Sequence, residues 1–386
     1  MRISNLILFI GIIFFGCSPT PTSRKNPEIG FTIERGLRIP IEDDFNPDIS
    51  RVQYFESDSG EFLVIQNKTN FELGFFSLDE EKLKKTIPLS KEGPNGIGIT
   101  NGFQVINKDS ILIASIPPRI HILNFLGEKI NSIKITDPDN KANYLSSNNE
   151  TPLIFSEKII YGAQPFFQDI YTAKISELAN SKPFFKTILN KDSTRTDWIN
   201  IHRPEDEWVF GKKSLDISWA EFGDTILVSP QLDHQVWAIS KSSEKILATK
   251  KIKANNINGF RIIDSSPVGD SELIKDLENG RYEILLYDTY RNVFYRFFYP
   301  GINIDSFNLT PRQLLANHAK VGIIIFNKEF DIIGEHIFEN NFVQPWNYFV
   351  GKKGLYVSTN NPNRDDFDES ILRYDIVRFE GLNYEN

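Results

Sequence analysis

Residues 102–135 read GFQVINKDSILIASIPPRIHILNFLGEKINSIKI, and this stretch decides the fold. It contains four short runs rich in β-branched and aromatic residues, and turn residues separate the runs. Runs of this length and composition predict β-strands. The stretch therefore predicts a four-stranded antiparallel sheet made of Gly102–Ile106, Ile111–Ile116, Ile120–Phe125 and Lys129–Ile135.

The same pattern recurs along the chain. A turn leading into an apolar strand reads KDSILI at 108–113, and similar turns begin at residues 59, 156, 223 and 352. A second turn reads GEKI at 127–130, with copies that begin at residues 80 and 243. Internal repeats of this kind indicate a solenoid, a propeller or an array. The repeated units cover 51–89, 102–135, 152–190, 215–253 and 282–338, and a sixth begins at Trp346.

The sixth unit offers only three strand-like segments, whereas FTIERGLRIPI at Phe31–Ile41 is strand-like and belongs to no unit. Pairing the two would supply a fourth strand and close a ring without open edges. The prediction is an all-β fold, a six-bladed β-propeller of four-stranded antiparallel blades closed by an N-terminal strand. The units are spaced more widely than propeller blades usually are, and loop insertions account for the excess. Seven blades is the alternative.

The N-terminal residues predict a lipoprotein signal. A basic start precedes ten apolar residues at 6–15, too few for a spanning helix but suited to a signal peptide. The run ends in FFGC, which resembles a lipobox, and its Cys17 is the only cysteine of the chain. An ordinary secretory signal with a chance cysteine is the alternative. We expect a signal peptide at 1–17 lipidated on Cys17, a flexible tether at 18–28 and a propeller at 29–386.

Composition limits the location and the partners. No acidic run follows Cys17, which favours a periplasm-facing anchor on the outer membrane over the cell surface. The net charge of −8 argues against binding of nucleic acid, since that requires basic patches. The expected partners are the membrane, through lipid on Cys17, and a protein, peptide or glycan ligand.

The long connecting segments are predicted to lie on one face of the propeller. They are the loops between second and third strands and the loops between blades, at 136–150, 191–214, 254–281, 300–319 and 360–370. Loops of this length are usually functional or disordered. Elaboration of one side of a rigid ring therefore predicts a binding face.

Aromatic and charged residues in the loops of this face, long and short, are the candidate contacts. Rings can cover apolar faces of a glycan or peptide while charges fix its orientation. The alternative is that these side chains pack their own loops onto the ring. The candidates are Arg119, Trp198, His202, Arg203, Trp208, Asp233 and His234, together with Phe166 and Phe167.

Arg296 stands within the otherwise aromatic stretch YDTYRNVFYRFFYP at 287–300. A buried arginine must be paired, so Asp288 or a carboxylate of a neighbouring blade is the expected partner. Arg296 is then structural. The alternative places it on the channel as a ligand-binding group.

No catalytic or metal motif is present. The chain lacks GxSxG, HxH and HExxH, and its five histidines are scattered, so no zinc site and no cofactor are expected. The acidic stretch NPNRDDFDE at 361–369 fails the EF-hand spacing. It is predicted to be a solvated loop, and calcium binding at Asp365, Asp366 and Asp368 is the alternative.

Several segments together resemble an uncharacterised family of Gram-negative lipoproteins with a six-bladed β-propeller. They are FFGC at 14–17, EGPNGIG at 92–98, YDTYRNVFYRFFYP, IIIFNKEFDIIGE at 323–335 and GLYVS at 354–358. The resemblance covers nearly all of the mature chain. It implies the fold and no reaction, because the function of that family is undefined.

Two functions are open. The first is a membrane-tethered binding or scaffold module that uses the elaborated face. The second is a propeller lyase or hydrolase of glycans or esters, with His202, Arg203, Asp233 and His234 as acid–base candidates. Convergence of these four side chains within hydrogen-bonding reach would favour the enzyme.

Overall fold

The first strand, β1 (Phe31–Pro40), pairs antiparallel with the last strand, β24 (Ile371–Phe379), so the N-terminal strand closes the ring as predicted. Phe31 lies opposite Phe379, and Pro40 lies opposite Ile371. The computed structural model describes residues 25–135, 145–164, 169–190, 194–203, 205–263, 265–266 and 268–384. Their strands form six four-stranded antiparallel sheets, which confirms the six-bladed propeller and makes the seven-bladed alternative wrong.

Blades one to three follow one another along the chain. Blade one contains β2 (Pro47–Ser57), β3 (Gly60–Asn67), β4 (Glu72–Ser77) and β5 (Lys82–Pro88). Blade two contains β6 (Ile99–Asn107), β7 (Ser110–Ile116), β8 (Arg119–Leu123) and β9 (Lys129–Lys134). Blade three contains β10 (Ile154–Ser156), β11 (Ile159–Ala163), β12 (Phe184–Leu189) and β13 (Thr194–Trp198).

Blades four to six complete the ring. Blade four contains β14 (Ile217–Phe222), β15 (Thr225–Pro230), β16 (Gln235–Ser240) and β17 (Ile246–Lys251). Blade five contains β18 (Arg281–Asp288), β19 (Val293–Tyr299), β20 (Gly322–Asn327) and β21 (Ile332–Ile337). Blade six contains β22 (Tyr348–Gly351), β23 (Gly354–Ser358) and β24, with β1 as its outer strand.

The few helices of the described residues lie in the long connections. The α-helices are α1 (Ile175–Ala179), α2 (Ser271–Glu278) and α3 (Pro311–Ala316), and 3-10 turns cover Glu205–Trp208 and Ile304–Ser306. Thr310 caps α3 by accepting a hydrogen bond from the Gln313 amide, and Pro311 occupies the first turn. None of the helices among the described residues is long and apolar enough to cross a membrane.

Position within a blade determines composition. The second strands pack on both faces against neighbouring blades, so every residue of β19 is buried and the strand reads as a continuous apolar run. The outer strands have an exposed face, and most of β17 is exposed. Lysines in these outer strands discourage pairing between edges of different molecules. Contacts between blades are close: the Phe297 and Tyr348 rings of blades five and six stack 3.9 Å apart.

Blade three differs from its predicted extent. The sequence predicts the whole blade at 152–190 and a loop at 191–214. In the structure the outer strand β13 lies within the predicted loop. An insertion that carries α1 separates the second and third strands and shifts the later strands along the chain. The strand TRTDW has no fully buried residue, so apolar periodicity does not reveal it.

Candidate functional site

The strands of the described residues begin and end the long connections on one face of the ring, as predicted. Successive strands of a blade run in opposite directions, so loops between second and third strands share a face with loops between blades. We call this side the elaborated face; its long connections span 135–153, 164–183, 199–216, 252–280, 300–321 and 359–370. The opposite face carries short turns, such as Lys108–Asp109 and Gly223–Asp224.

One of these connections crosses the propeller axis. Residues 145–152, here the axial segment, lie between blades two and three in the chain but bind the inner strands of other blades. The Asn149 side chain donates to the carbonyls of Ile49 at 3.0 Å and Trp346 at 2.9 Å. The Glu150 carbonyl accepts the Trp219 amide at 2.9 Å. The segment thus ties blades one, four and six together at the centre of the elaborated face.

Charged side chains gather around Glu150. Arg281 Nε donates to Glu283 Oε1 at 2.6 Å, and Trp346 Nε1 donates to Glu283 Oε2 at 2.9 Å. Gln231 Nε2 donates to Glu150 Oε1 at 3.3 Å, and the Glu150 and Glu283 carboxyl groups are hydrogen-bonded to each other. We call this group the axial cluster; it consists of Glu150, Asp216, Gln231, Arg281, Glu283 and Trp346.

Glu150 is the member of this cluster whose carboxyl group has a raised pKa. Burial raises the pKa of its carboxyl group well above the usual value, and the nearby Glu283 and Asp216 carboxyl groups raise that pKa further. Two carboxyl groups in contact must share a proton. The carboxyl groups of a glycosidase pair stand about 5 Å or more apart, so this contact does not match that arrangement. The cluster offers hydrogen-bond donors and acceptors on the axis.

A cleft of about 620 Å³ opens on the elaborated face where the ring closes, between blades six and one. Its floor includes amide and hydroxyl groups, and the Asn347 side chain and Ser358 Oγ both donate to Gln344 Oε1. Phe367 is 40% exposed and lines the wall. Exposed carboxylates and Lys68 stand at the rim, and Arg373 also lines the cleft. We call this the seam cleft; its lining includes Glu42, Asp43, Lys68, Gln344, Asn347, Ser358, Asn360, Phe367 and Glu369.

The inner end of the seam cleft adjoins the axial cluster. Ile49 lines the cleft, and Asn149 of the axial segment binds its carbonyl. Trp346 lies in the chain between the cleft residues Gln344 and Asn347, and its indole reaches Glu283. Polar groups therefore continue from the closing seam to the propeller axis.

Comparison with known proteins identifies the family. Residues 30–337 match the family described as Domain of unknown function (DUF4221). The chain belongs to the DUF4221 family. A crystal structure of a DUF4221 member from Bacteroides vulgatus superposes with a TM-score of 0.82 at 23% identity, covering 92% of this chain and 99% of that one.

A more distant structure is that of a candidate exported protein from Bacteroides fragilis. It has a TM-score of 0.51 and 10% identity, and the match covers 91% of this chain and 95% of that one. At these identities the likeness concerns the fold. No curated protein matches the sequence of this DUF4221 chain.

The predicted cluster at 195–208 packs onto the DUF4221 ring. Arg203 is buried, donates to Glu207 Oε1 at 2.5 Å and also binds the Leu215 carbonyl. Trp208 is buried against Ala173 and Leu178. Trp198 ends β13 with its ring 5.6 Å from Phe185, so it belongs to a strand. His202 is half-buried.

Asp233 and His234 bind different partners. Asp233 Oδ1 accepts the Gln235 amide at 2.9 Å, and Lys213 Nζ lies 3.9 Å from Asp233 Oδ2. His234 Nδ1 lies 2.7 Å from the Tyr282 hydroxyl, and burial lowers the pKa of His234 to about 3. Among the described residues, the four acid–base candidates are not joined into one hydrogen-bonded set.

Arg296 is completely buried. The prediction that it pairs with Asp288 or another carboxylate is wrong. Asp288 pairs with Arg291 at 2.5 Å instead. The Arg296 guanidinium binds Ser229 Oγ at 2.8 Å and the carbonyls of Asp233 and Ile252 at 2.7 Å each. Its Cζ lies 3.3 Å from the centre of the Tyr282 ring. These contacts anchor the connections of blade four to blade five.

The remaining predicted residues have varied positions. Arg119 donates to Ser132 Oγ at 3.3 Å. Asp366 pairs with Arg364 and Arg373, which lower its pKa to about 2, and Asp368 Oδ1 accepts the Ser370 hydroxyl at 2.6 Å. Within the described ranges, no three His, Cys, Asp or Glu residues are arranged to hold a metal ion. Cys17, Phe166 and Phe167 lie outside the described residues.

Sequence reasoning missed the axial cluster and the seam cleft. The available signal was the charged pair Arg281 and Glu283 at the start of the apolar run RYEILLY, where charges on an inner strand are unusual. Nothing in the sequence indicates that Glu150 would meet them, because that contact depends on the axial segment crossing the ring.

Proposed function

We propose that this DUF4221 propeller is a cell-envelope binding protein that takes a carbohydrate ligand in the seam cleft. The supporting observation is the cleft itself, with its amide and hydroxyl floor and the exposed Phe367 ring. Sugar hydroxyl groups need both donors and acceptors, and the apolar face of a pyranose packs on an aromatic ring. A volume of about 620 Å³ accommodates a short oligosaccharide.

The floor supports a carbohydrate more than a peptide. Gln344, Asn347 and Ser358 present amide and hydroxyl groups there, and apolar lining residues such as Ile49 and Phe367 can pack on the ring of a sugar. The exposed carboxylates Glu42 and Glu369 would instead favour a basic peptide at the rim. Binding of a basic peptide is therefore the competing outcome of the test.

The anchor is part of the proposal. The lipobox FFGC places a lipid on Cys17 and holds the propeller on the outer membrane, facing the periplasm. Export is supported by the likeness to the candidate exported protein of Bacteroides fragilis. Labelled palmitate should enter the wild-type chain and not a Cys17→Ser variant. Equal labelling of both chains would contradict lipidation at Cys17.

The binding experiment uses residues 18–386, which begin after the proposed lipidation site, and an array of oligosaccharides. Titration calorimetry on the best hit should show a loss of about tenfold or more in affinity for Phe367→Ala and for Gln344→Ala, since tenfold is about 1.4 kcal/mol. Phe210→Ala is the matched control, because Phe210 is also exposed on the elaborated face but lies outside the cleft.

Two outcomes would overturn the proposal. One is binding of basic peptides in preference to every oligosaccharide. The other is a glycan hit that Phe210→Ala weakens as much as Phe367→Ala does. Unfolding temperatures of all variants separate a loss of binding from a loss of fold.

A further inference from the structure

The N-terminal segment before β1 follows a defined path along blade five. The Ile29 amide donates to the Glu335 carbonyl at 3.2 Å, and the Glu335 amide donates to the Pro27 carbonyl at 2.9 Å. Asn26 then crosses to the connection between blades four and five, where its side chain donates to the Lys253 carbonyl at 2.6 Å. Its amide binds Asn255 Oδ1 at 2.9 Å. The chain therefore reaches the ring at the elaborated face, between blades four and five.

Large apolar side chains are exposed on the same side of the elaborated face. Val209 is 71% exposed and Phe210 is 83% exposed, both in the connection between blades three and four. Val268 is 78% exposed in the next connection. The two connections are joined, because the Ile263 amide donates to the Lys212 carbonyl at 2.7 Å. Exposed apolar groups of this size indicate an interaction surface.

Lysines surround the point where the N-terminal segment meets the ring. Lys25 precedes Asn26, and Lys250 and Lys251 end the outer strand β17 on the elaborated face. All three are exposed, and none pairs with a carboxylate among the described residues. Basic groups on the same side of a protein as exposed apolar side chains are typical of proteins that lie on anionic membrane surfaces.

We infer that this side of the elaborated face, formed by Lys25, Val209, Phe210, Lys250, Lys251 and Val268, is a docking surface for an anionic phospholipid membrane. The inference rests on the proposed lipidation of Cys17, which lies nine residues before Asn26. Nine residues span at most about 30 Å when fully extended. A lipid on Cys17 therefore holds the membrane within about 30 Å of the point where the N-terminal segment joins this surface.

The docked orientation keeps the seam cleft accessible. In a ring of six blades, the seam between blades six and one lies opposite the junction of blades three and four. When the side of the propeller formed by blades three to five faces the bilayer, the seam cleft points away from it. Anchoring and ligand binding then use opposite sides of one face.

The test uses residues 18–386, which begin after Cys17, retain every described residue and contain no cysteine. Vesicles of phosphatidylethanolamine with phosphatidylglycerol are compared with vesicles of phosphatidylcholine. We expect sedimentation with the anionic vesicles only, reduced about fivefold or more by Phe210→Glu with Val268→Glu and by Lys250→Glu with Lys251→Glu. Leu126→Glu is the matched control, since Leu126 is 71% exposed on the opposite face.

A single thiol reports the orientation. An environment-sensitive dye on Val268→Cys should shift its emission to the blue on anionic vesicles, and the same dye on Leu126→Cys should not. No sedimentation of the unlipidated chain, or equal loss with Leu126→Glu, would overturn the docking surface. Palmitate labelling of Cys17 is scored separately, so failure of the anchor and failure of the surface are distinguishable.

Discussion

Glu150 and Glu283 are hydrogen-bonded through their carboxyl groups at the propeller axis, although Glu150 comes from a loop and Glu283 from the inner strand of blade five. Arg281 and Trp346 each donate a hydrogen bond to one carboxyl oxygen of Glu283, and Gln231 donates one to Glu150. The axial segment is therefore joined to blade five by a contact between two carboxyl groups, and protonation of Glu150 favours that contact.

This contact predicts that stability falls as the pH rises. The pKa of Glu150 is raised in the folded state, so above its ordinary value of 4.5 the folded chain binds more protons than the unfolded chain. Stability is lost between that value and the raised pKa. Glu150→Gln should remove this dependence. At pH 8 the variant should unfold at a higher temperature than wild type, by on the order of 2 °C or more beyond any difference between the two at pH 5.

Calorimetric unfolding of wild type and Glu150→Gln at both pH values measures this effect. Glu128→Gln is the control, since Glu128 lies in an exposed turn of blade two. An equal change in unfolding temperature for both variants would show that the axial pair is not the cause.

The buried hydrogen bonds of Arg296 predict that removing its side chain lowers the stability of the fold by a large amount. Arg296→Met leaves several buried carbonyls without a donor, including those of Asp233 and Ile252, and should cost about 3 kcal/mol or more. Urea unfolding gives the free energy. Arg195→Met should cost less than about 1 kcal/mol, because the Arg195 side chain is 74% exposed. Similar losses for both variants would contradict the structural role of Arg296.

The sequence was sufficient to predict the architecture of the ring. Each blade repeats a turn followed by an apolar strand, and Phe31–Ile41 had no unit of its own, so both the blade count and the closure follow from pattern. These features depend on local composition and on the requirement that sheet edges be paired.

The candidate site could not be predicted in the same way. Arg203 and Trp208 looked like surface contacts in the sequence, but Glu207 and the α1 insertion bury them. Glu150 and Glu283 meet across the axis from positions 133 residues apart, as their numbers show. Such long-range contacts depend on the course of irregular loops, which no periodicity describes.

Ring closure predicts that β1 is a structural element and not a passive tether. The β1 residue Ile39 is fully buried in the apolar core that blades six and one share. Ile39→Ala should therefore lower the free energy of unfolding by about 2–4 kcal/mol. Ile33 lies in the same strand but is 44% exposed, and Ile33→Ala should cost well under about 1 kcal/mol. Urea unfolding measures both. Equal costs would mean that β1 contributes no core packing.

Burial of His318 predicts part of the loss of stability that the fold should show at acidic pH. Its ring stacks on Tyr299 at 4.4 Å, and burial together with Arg281 lowers its pKa to about 3. Below the ordinary value of 6.5 the unfolded chain binds more protons than the folded chain, so stability is lost as the pH falls from about 6.5 towards 3. His318→Phe keeps the stacking without the titration and should flatten this decline. Unfolding temperatures at pH 7 and pH 4.5 measure it, with the half-buried His202→Phe as control. A decline as steep in His318→Phe as in wild type would assign the acid sensitivity to other groups, of which His234 is the next to test.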